Sequence, residues 1–173
     1  MKKLFIIIST LGIFLLNCSS ISVQHDYDSS FDYSSLETFA WIPPSQKAKN
    51  KRPLLIKRVE NAANSELQAK GYRIQTQQPD FLIVMHSGSR DRVEVTSYGY
   101  AYPGRWGYWG GRSVDVYQYK EGTIILDIID GRHKELIWRG SATGEVNRNA
   151  TPEQRDATIA KVVAKILQKF PPK

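Results

Sequence analysis

The most regular hydrophobic pattern in the chain predicts a helix near the carboxyl terminus. Apolar side chains recur there at intervals of three and four residues, which places them on one face of a helix. The segment 151–154 (TPEQ) just before them has the form of a capping box with proline at the first helical position. We expect Pro171 and Pro172 to end this helix. The apolar positions are Ile159, Val162, Val163, Ile166, Leu167 and Phe170.

A second amphipathic helix is predicted in the first half of the chain. Pro53 suits a first helical position and Gly71 supplies a stop. The apolar face between them predicts that the helix covers a sheet. The preceding residues 45–52 (SQKAKNKR) are predicted to form a basic loop. The apolar positions at helical spacing are Ile56, Val59, Ala63 and Leu67.

The other hydrophobic positions follow strand patterns. Residues 81–86 (FLIVMH) are apolar on both faces, as in a buried central strand, whereas residues 92–98 (RVEVTSY) alternate and predict a half-exposed strand. Eight segments have such a pattern, and together they predict about seven strands. The candidate segments are 21–27, 38–42, 72–75, 81–86, 92–98, 114–119, 122–129 and 136–146.

The last strand candidate is expected to receive the final helix on one face. Asp130-Gly131 begins a predicted hairpin connection into this strand. Alternation places Leu136, Trp138, Gly140, Ala142, Gly144 and Val146 on one face, and its small residues let a helix lie close. The order of elements predicts an α+β fold: a two-layer sandwich whose mostly antiparallel sheet carries both helices on one face.

The amino terminus has the features of a lipoprotein signal. Lys2 and Lys3 precede an apolar run, residues 4–16, whose 13 residues are too few to span a bilayer as a helix. The run ends in Leu-Leu-Asn-Cys at Cys18, the only cysteine of the chain, which resembles a bacterial lipobox. That resemblance implies cleavage after Asn17 and acylation of Cys18. We therefore expect a signal peptide at 1–17, a lipid-anchored amino terminus at 18–20 and a single α+β domain at 21–173.

Charge and location narrow the classes of partner. The chain has 24 Lys+Arg and 17 Asp+Glu, and loss of Lys2 and Lys3 with the signal leaves a net charge of +5. This charge suits an anionic envelope surface or a glycan, and a secreted location argues against nucleic acid. Ser19 follows the cysteine instead of the Asp that retains many lipoproteins in the inner membrane. We therefore expect the periplasmic side of the outer membrane, with the cell surface as an alternative.

The sequence lacks the common catalytic and metal-binding motifs. The chain contains no G-x-x-x-x-G-K-[ST], H-E-x-x-H or G-x-S-x-G motif, and a single cysteine leaves no thiol pair for redox chemistry. His25 and His133 lie in separate segments, and we expect His133 to be solvated in a turn. His86 can approach Asp91 or Asp127 in space. We assign no catalytic residue, no metal and no cofactor.

One spacing imitates a calcium loop. Asp26, Asp28, Ser30 and Glu37 stand at positions 1, 3, 5 and 12 of an EF-hand loop, but Phe31 occupies the position that requires glycine. We expect the Asp and Ser side chains to bond the backbone of a turn instead. The apolar residues of this region are expected in the core: Phe31, Tyr33, Leu36, Phe39 and Trp41.

The segment 98–112 (YGYAYPGRWGYWGGR) is the best candidate for recognition. It holds six Tyr or Trp, five Gly and two Arg and no acidic residue. Three interpretations remain: rings that fold back on the protein or stay disordered, a binding surface for a glycan or protein of the envelope, and insertion at the level of lipid headgroups. The candidate binding residues are Tyr98, Tyr100, Tyr102, Arg105, Trp106, Tyr108, Trp109 and Arg112.

The chain resembles a bacterial lipoprotein family called domain of unknown function 4136. The resemblance runs in order through CSS after the lipobox, DYDSSFDYSSLETFAWIP, PDFLIVMH, VEVTSYGY, YKEGTIILDIIDGRHKELIWRGSATGEV and AKILQKFPPK. It implies an envelope lipoprotein with an α+β domain and brings no established activity or catalytic residue. We therefore expect non-enzymatic binding or scaffolding in the periplasm. A hydrolase acting on an envelope polymer is the alternative.

Overall fold

A computed structural model describes residues 21–44, 46–98 and 113–172 of the chain. The strands are β1 (Ser22–Tyr27), β2 (Thr38–Trp41), β3 (Arg73–Ile74), β4 (Phe81–Tyr98), β5 (Ser113–Asp130) and β6 (Leu136–Glu145). The helices are α1 (Gln46–Lys51), α2 (Pro53–Ala69) and α3 (Pro152–Leu167), with a 3-10 turn at Tyr33–Ser35.

The strands form one mixed sheet in the order β1-β6-β5-β4-β2-β3. The pairs β1 with β6, β6 with β5, and β5 with β4 are antiparallel. The pairs β2 with β4 and β2 with β3 are parallel. The parallel pairs arise because α2 lies between β2 and β3 in sequence, so the chain returns to the sheet in the same direction.

Helices α2 and α3 pack side by side, and their apolar faces meet one face of the sheet. The apolar stripe predicted for α3 is confirmed as far as Leu167, where the helix ends: Val163, Ile166 and Leu167 are buried, and Ile159 and Val162 are partly buried against them. Phe170 is also buried but follows the end of the helix, which comes before Pro171 and Pro172. The capping box of Thr151 and Gln154 is also present. From α2 the buried residues are Val59, Ala63 and Leu67. The sheet contributes Phe39, Phe81, Ile83, Ile124, Leu126, Ile128, Trp138 and Ala142.

The α+β fold is confirmed, with six strands where the sequence patterns suggested about seven. Residues 81–86 and 92–98 belong to the single strand β4, and residues 114–119 and 122–129 belong to the single strand β5. Their register is continuous from Phe81 with Asp130 to Tyr98 with Ser113. The glycines between these segments, Gly88 and Gly122, pair within the ladder instead of ending it.

The expectation of a basic loop at 45–52 is wrong, because Gln46–Lys51 forms the short helix α1. Glutamine, lysine and alanine are good helix formers, which sequence reasoning underweighted. The break falls at Arg52, whose backbone is non-helical (φ −147°, ψ 53°) because it precedes Pro53.

The expected face of β6 is correct in its middle and wrong at its ends. Trp138, Gly140 and Ala142 are buried beneath the helices, whereas Leu136 and Val146 are exposed. The register shifts between Ile128 and Ile129, so that Ile128 pairs with Trp138 and Ile129 with Leu136. This bulge leaves Ile137 without an opposite residue, and Ile137 is buried instead.

A two-stranded ribbon extends from the sheet. The ladder between β5 and β6 ends at Glu121 with Glu145, and one further hydrogen bond joins the Val146 N–H to the Lys120 carbonyl. Beyond it, residues 92–98 and 113–119 pair with each other alone among the described strands. We call these seven residue pairs the ribbon. At about 3.4 Å a residue it reaches about 24 Å beyond the sheet.

Within the described ranges, no helix has both the length and the apolar character needed to cross a membrane.

Candidate functional site

A buried carboxylate organises the sheet face opposite the helices. Asp127 of β5 lies directly across from Arg139 of β6, and the odd numbering of both residues places them away from the helices. Arg139 donates from Nε to Asp127 Oδ1 and from Nη2 to Asp127 Oδ2, each at 2.6 Å. The Asp127 side chain is 6% exposed while the Arg139 side chain is 50% exposed. The guanidinium therefore covers the carboxylate and presents its outer edge to solvent.

His86 of β4 completes this cluster from the other side. Its Nε2 lies 3.2 Å from Asp127 Oδ2, and its side chain is 55% exposed. Arg139 Nη2 contacts the same oxygen, so the two nitrogens lie no more than about 5.8 Å apart. We call Asp127, Arg139 and His86 the ionic cluster.

Electrostatics stabilise the charged form of Arg139. The hydrogen bonds to Asp127, together with its negative charge, raise the pKa of Arg139 above its ordinary value. A bidentate arginine is the geometry in which a guanidinium best compensates a desolvated carboxylate. The arrangement can hold a histidine in a fixed orientation and offers two half-exposed nitrogen-bearing groups to an anionic ligand.

The cluster brings together two of the three residues that the sequence singled out. His86 and Asp127 are in contact, whereas Asp91 lies 3.3 Å from Arg148 Nη2. Sequence reasoning missed Arg139 as the third member. The signal was present in the hairpin: residues on the same face of paired antiparallel strands lie directly opposite, so an acid and an arginine on either side of Asp130-Gly131 can meet.

A second charged group lies at the base of the ribbon. Arg90 and Arg92 of β4 both donate from Nε to Oε2 of Glu121 on β5. These hydrogen bonds, first from Arg90 and then from Arg92, lower the pKa of Glu121. The Glu121 side chain is the more buried, so the surface here presents two arginines that share one carboxylate.

The ribbon ends where residues 98–112 begin, which we call the aromatic segment. Tyr98 is the last residue of β4 and pairs with Ser113, the first residue of β5. The other candidate binding residues lie outside the described ranges: Tyr100, Tyr102, Arg105, Trp106, Tyr108, Trp109 and Arg112. The structure therefore fixes where the segment leaves and re-enters the sheet. Cys18 also lies outside the described ranges, four positions before β1 begins at Ser22.

The calcium-like spacing forms a turn, as expected. Asp28 Oδ1 accepts hydrogen bonds from the backbone N–H and the hydroxyl of Ser30, and these bonds lower the pKa of Asp28. Glu37 pairs with Arg73. The apolar residues of the region meet the core as expected, with Leu36 and Phe39 buried and Phe31, Tyr33 and Trp41 partly buried. Among the described residues no group of three or more His, Cys, Asp or Glu is placed to hold a metal ion.

The two other histidines lie apart from the cluster. His25 of β1 is exposed and pairs with Gly140 across the ladder. His133 lies in the β5–β6 turn, where its Nδ1 is 2.6 Å from Asp130 Oδ2 and its side chain is largely exposed. The expectation that His133 is solvated in a turn is confirmed.

Comparison with known families accounts for nearly all of the described chain. A family model described as a domain of unknown function, DUF4136, matches residues 23–172. The chain belongs to this family. The resemblance seen in the sequence is thereby confirmed for the family, whose description assigns no function. No curated protein matches the chain.

Solved structures resemble the chain at low sequence identity. A PDZ domain protein from Parabacteroides distasonis is similar, with a TM-score of 0.59 and 15% identity over 88% of this chain and 36% of that chain. This chain thus spans about a third of that protein, and the likeness shows the α+β fold alone. A dodecamer of PelC from Paraburkholderia phytofirmans has a TM-score of 0.42 and 13% identity over 85% of this chain and 94% of that chain, which is too weak to support an inference.

Proposed function

We propose that this DUF4136 protein is a lipid-anchored protein of the bacterial envelope that binds a partner and does not catalyse a reaction. The observation that carries the binding role is the ribbon, because it holds both ends of the aromatic segment about 24 Å beyond the sheet. Both ends of the segment therefore start well away from the protein's own core, which favours contact with a partner over packing within the chain.

The composition of the segment indicates the class of partner. Six Tyr or Trp residues provide rigid rings with polar edges, and two Arg residues without any acid make the segment cationic. Rings of this kind stack on sugar faces and pack on protein surfaces. We therefore propose a glycan or a protein of the envelope as the partner, and the lipid headgroup region as the competing destination.

The lipobox resemblance supports the location. Acylation of Cys18 by two or more chains would anchor the protein stably, since each buried methylene contributes about 0.8 kcal/mol. Four positions separate Cys18 from the first residue of β1, which amounts to at most about 14 Å of extended chain. The domain would lie against the membrane surface with little freedom to move away from it.

The contact between His86 and Asp127 supports the second candidate function, a hydrolase acting on an envelope polymer. A carboxylate that orients a histidine is part of many general-base sites. The hydrolase requires loss of polymer cleavage in the variant His86→Ala together with unchanged folding. Under the binding proposal neither the wild type nor this variant cleaves the polymer, so cleavage by the wild type distinguishes the two candidates.

Metabolic labelling with a fatty-acid analogue tests the anchor. Wild-type protein should incorporate the label, and the variant Cys18→Ala should not. Ser19→Ala is the matched control, because it alters the neighbouring residue and leaves the acylated sulfur in place. A wild-type protein without label would contradict the anchor.

Membrane fractionation tests the proposed location in the outer membrane. Wild-type protein should sediment with outer-membrane markers on a density gradient, and Ser19→Asp should shift it toward the inner membrane while fatty-acid labelling persists. Recovery of both proteins in the inner-membrane fraction would contradict the outer-membrane location and leave the anchor unaffected.

Binding assays test the partner class with three probes: purified peptidoglycan, vesicles of phosphatidylethanolamine and phosphatidylglycerol, and crosslinked whole membranes. Trp106→Ala and Trp109→Ala should each reduce capture severalfold. Tyr27→Ala is the matched aromatic control, because Tyr27 is exposed on β1, away from the ribbon. Equal loss in the control, or no capture of any probe by the wild type, would contradict the binding role.

A further inference from the structure

We propose that two copies of this chain associate through the outer edge of β4, in an antiparallel ladder whose two-fold axis passes beside Val93. The inference rests on the backbone of β4 and the order of charges along it. It stands independently of the lipid anchor and of the aromatic segment.

The outer edge of β4 is unpaired over most of its length. Strand β2 pairs with β4 only from Phe81 to Ile83, and one more hydrogen bond runs from the Ile42 N–H to the Ile83 carbonyl. From residue 85 to residue 98 no strand in the described part of the chain lies on this edge. Arg52 reaches the hydroxyl of Ser89 through its side chain and does not pair with the ladder. Such an edge is a template for another strand.

The direction of the free backbone groups follows from Ile83. Its carbonyl accepts a bond from Ile42, so it points away from β5. The direction alternates along a strand, and the register between β4 and β5 is unbroken from Phe81 to Tyr98. Odd-numbered residues up to Ser97 therefore direct their N–H and C=O groups outward. In a symmetric antiparallel pair these residues exchange hydrogen bonds, while even-numbered residues form the closer, non-hydrogen-bonded pairs.

The charges on β4 select one register. With the axis beside Val93, Arg92 of each copy stands opposite Glu94 of the other at a non-hydrogen-bonded position of the ladder. The neighbouring registers bring like charges together. With the axis at Arg92 the two Arg92 residues lie opposite each other, and with the axis at Glu94 the two Glu94 residues do. An axis at Asp91 places Arg90 opposite Arg92. Because like charges directly opposite are destabilising, the register at Val93 is the self-complementary one.

Pairing with a second copy would stabilise the ribbon. A two-stranded ribbon alone in water is marginally stable, whereas three or more strands support one another. Pairing of two copies places residues 89–97 of each β4 in a four-stranded sheet in the order β5-β4-β4-β5. Residues 89–97 of each copy contribute, so the new ladder has nine residues a strand.

Crosslinking in native membranes tests the symmetry of the pair, with the full chain. In Val93→Cys the two introduced thiols lie on paired residues, about 5.5 Å apart between Cα atoms, and a short bismaleimide should join them. Ser89→Cys is the control on the same edge, because its two copies lie about 27 Å apart in this register. We expect a covalent dimer from Val93→Cys alone, with wild-type protein reporting any reaction of Cys18.

Charge exchange tests the register. In the Val93→Cys background, Arg92→Glu should lower the crosslinking rate about tenfold, because both symmetric pairs become like-charged. The double change Arg92→Glu with Glu94→Arg should restore the rate to within about twofold. Arg90→Glu is the matched control: Arg90 shares Glu121 with Arg92 but lies opposite Thr96 in the pair, so the rate should change less than about twofold.

Three results would overturn the proposal. They are the absence of a dimer from Val93→Cys in protein that resists proteolysis as the wild type does, equal crosslinking of Ser89→Cys, and equal losses for Arg90→Glu and Arg92→Glu. Resistance to proteolysis distinguishes a folded, monomeric variant from an unfolded one.

Discussion

Gly140 lies where β6 packs tightly against the Trp138 ring and helix α3. A Cβ atom added at Gly140 would lie 2.2 Å from Cη2 of Trp138 and 2.7 Å from Cγ2 of Ile166. Real Cβ contacts do not come so near, and the Trp138 ring is fully buried with no room to turn aside. The small residue is therefore required by packing, as the alternation of β6 suggested.

Replacement of Gly140 by Ala should destabilise the fold. We expect the free energy of unfolding in urea to fall by about 1 to 3 kcal/mol, because overpacking forces the ring or the helix to move. Gly88→Ala is the matched control, since a Cβ there meets no atom within 4 Å. A Gly140→Ala protein as stable as Gly88→Ala would show that the helix can shift without cost.

Asp80 ties the start of β2 to the start of β4. Its Oδ2 accepts hydrogen bonds from the N–H groups of Glu37 and Thr38 and from the Thr38 hydroxyl at 2.7 Å. The hydroxyl of Thr38 is the largest cause that lowers the pKa of Asp80 below 3.8, its ordinary value. Because the folded state binds the proton less tightly than the unfolded chain, the stabilisation is complete above pH 3.8 and is lost as pH falls through the folded pKa.

Asp80→Asn should therefore reduce stability in a pH-dependent way. At pH 7 we expect a loss of about 1 to 3 kcal/mol in unfolding free energy, the usual range for hydrogen bonds to a charged group. The difference from wild type should shrink as pH is lowered below 3.8, because the wild-type carboxylate is then neutralised. Thr38→Val should show the same trend with smaller amplitude. A difference independent of pH would show that the charge of Asp80 is not involved.

The β5–β6 hairpin depends on the pairing of Asp127 with Arg139. Arg139→Met should lower the unfolding free energy by about 2 kcal/mol, because it leaves a carboxylate buried without its bidentate partner. The half-exposed position of Arg139 moderates this cost. His86→Gln should cost less than about 1 kcal/mol. Urea unfolding of both variants measures the difference, and the double variant Arg139→Met with Asp127→Leu should recover part of it. Equal effects of Arg139→Met and His86→Gln would contradict this view of the hairpin.

Among the helices and strands, periodicity predicted α2 and α3 well and the strand ends poorly. The stripe of α3 follows from local spacing and its capping box from four adjacent residues, so both could be read directly. The extent of β4 could not be predicted in this way, because its serines and Gly88 are typical of a turn. Only hydrogen bonds to a partner strand keep these residues in the sheet. The bulge at Ile137 is a tertiary effect: its carbonyl accepts bonds from the Asp28 N–H and the Tyr33 hydroxyl, which are distant in sequence.

The molecule as a whole separates into a packed body and a projecting ribbon. Sequence reasoning found His86 and Asp127 because they are titratable residues next to apolar runs. It missed Arg139: the hairpin places an acid and an arginine on either side of the turn, but the bulge sets which residues lie opposite each other. The aromatic segment was apparent from composition alone. Its attachment at the end of the ribbon could not be predicted, because it depends on the continuous pairing of β4 with β5.

Deletion of the aromatic segment tests this separation. Tyr98 and Ser113 are direct partners at the end of the ladder, so a two-residue Asn-Gly turn can replace residues 99–112 without changing the register. We expect the unfolding free energy to change by less than about 0.5 kcal/mol. The core lies between the sheet and helices α2 and α3, at the opposite end of β4 and β5 from the deleted residues. A shorter loop also costs slightly less entropy to close.

The same deletion distinguishes the roles of the ribbon and the segment. If the segment binds the envelope partner, capture should be lost while crosslinking of Val93→Cys persists, since the ladder at Val93 uses residues 89–97 of β4, which the deletion leaves in place. Exchange of the segment for an equally long Gly-Ser sequence provides the matched control for loop length and should behave as the deletion does. A loss of several kcal/mol in both variants would mean that Trp106 and Trp109 pack against the body, and the segment would then be part of the fold and not a recognition element.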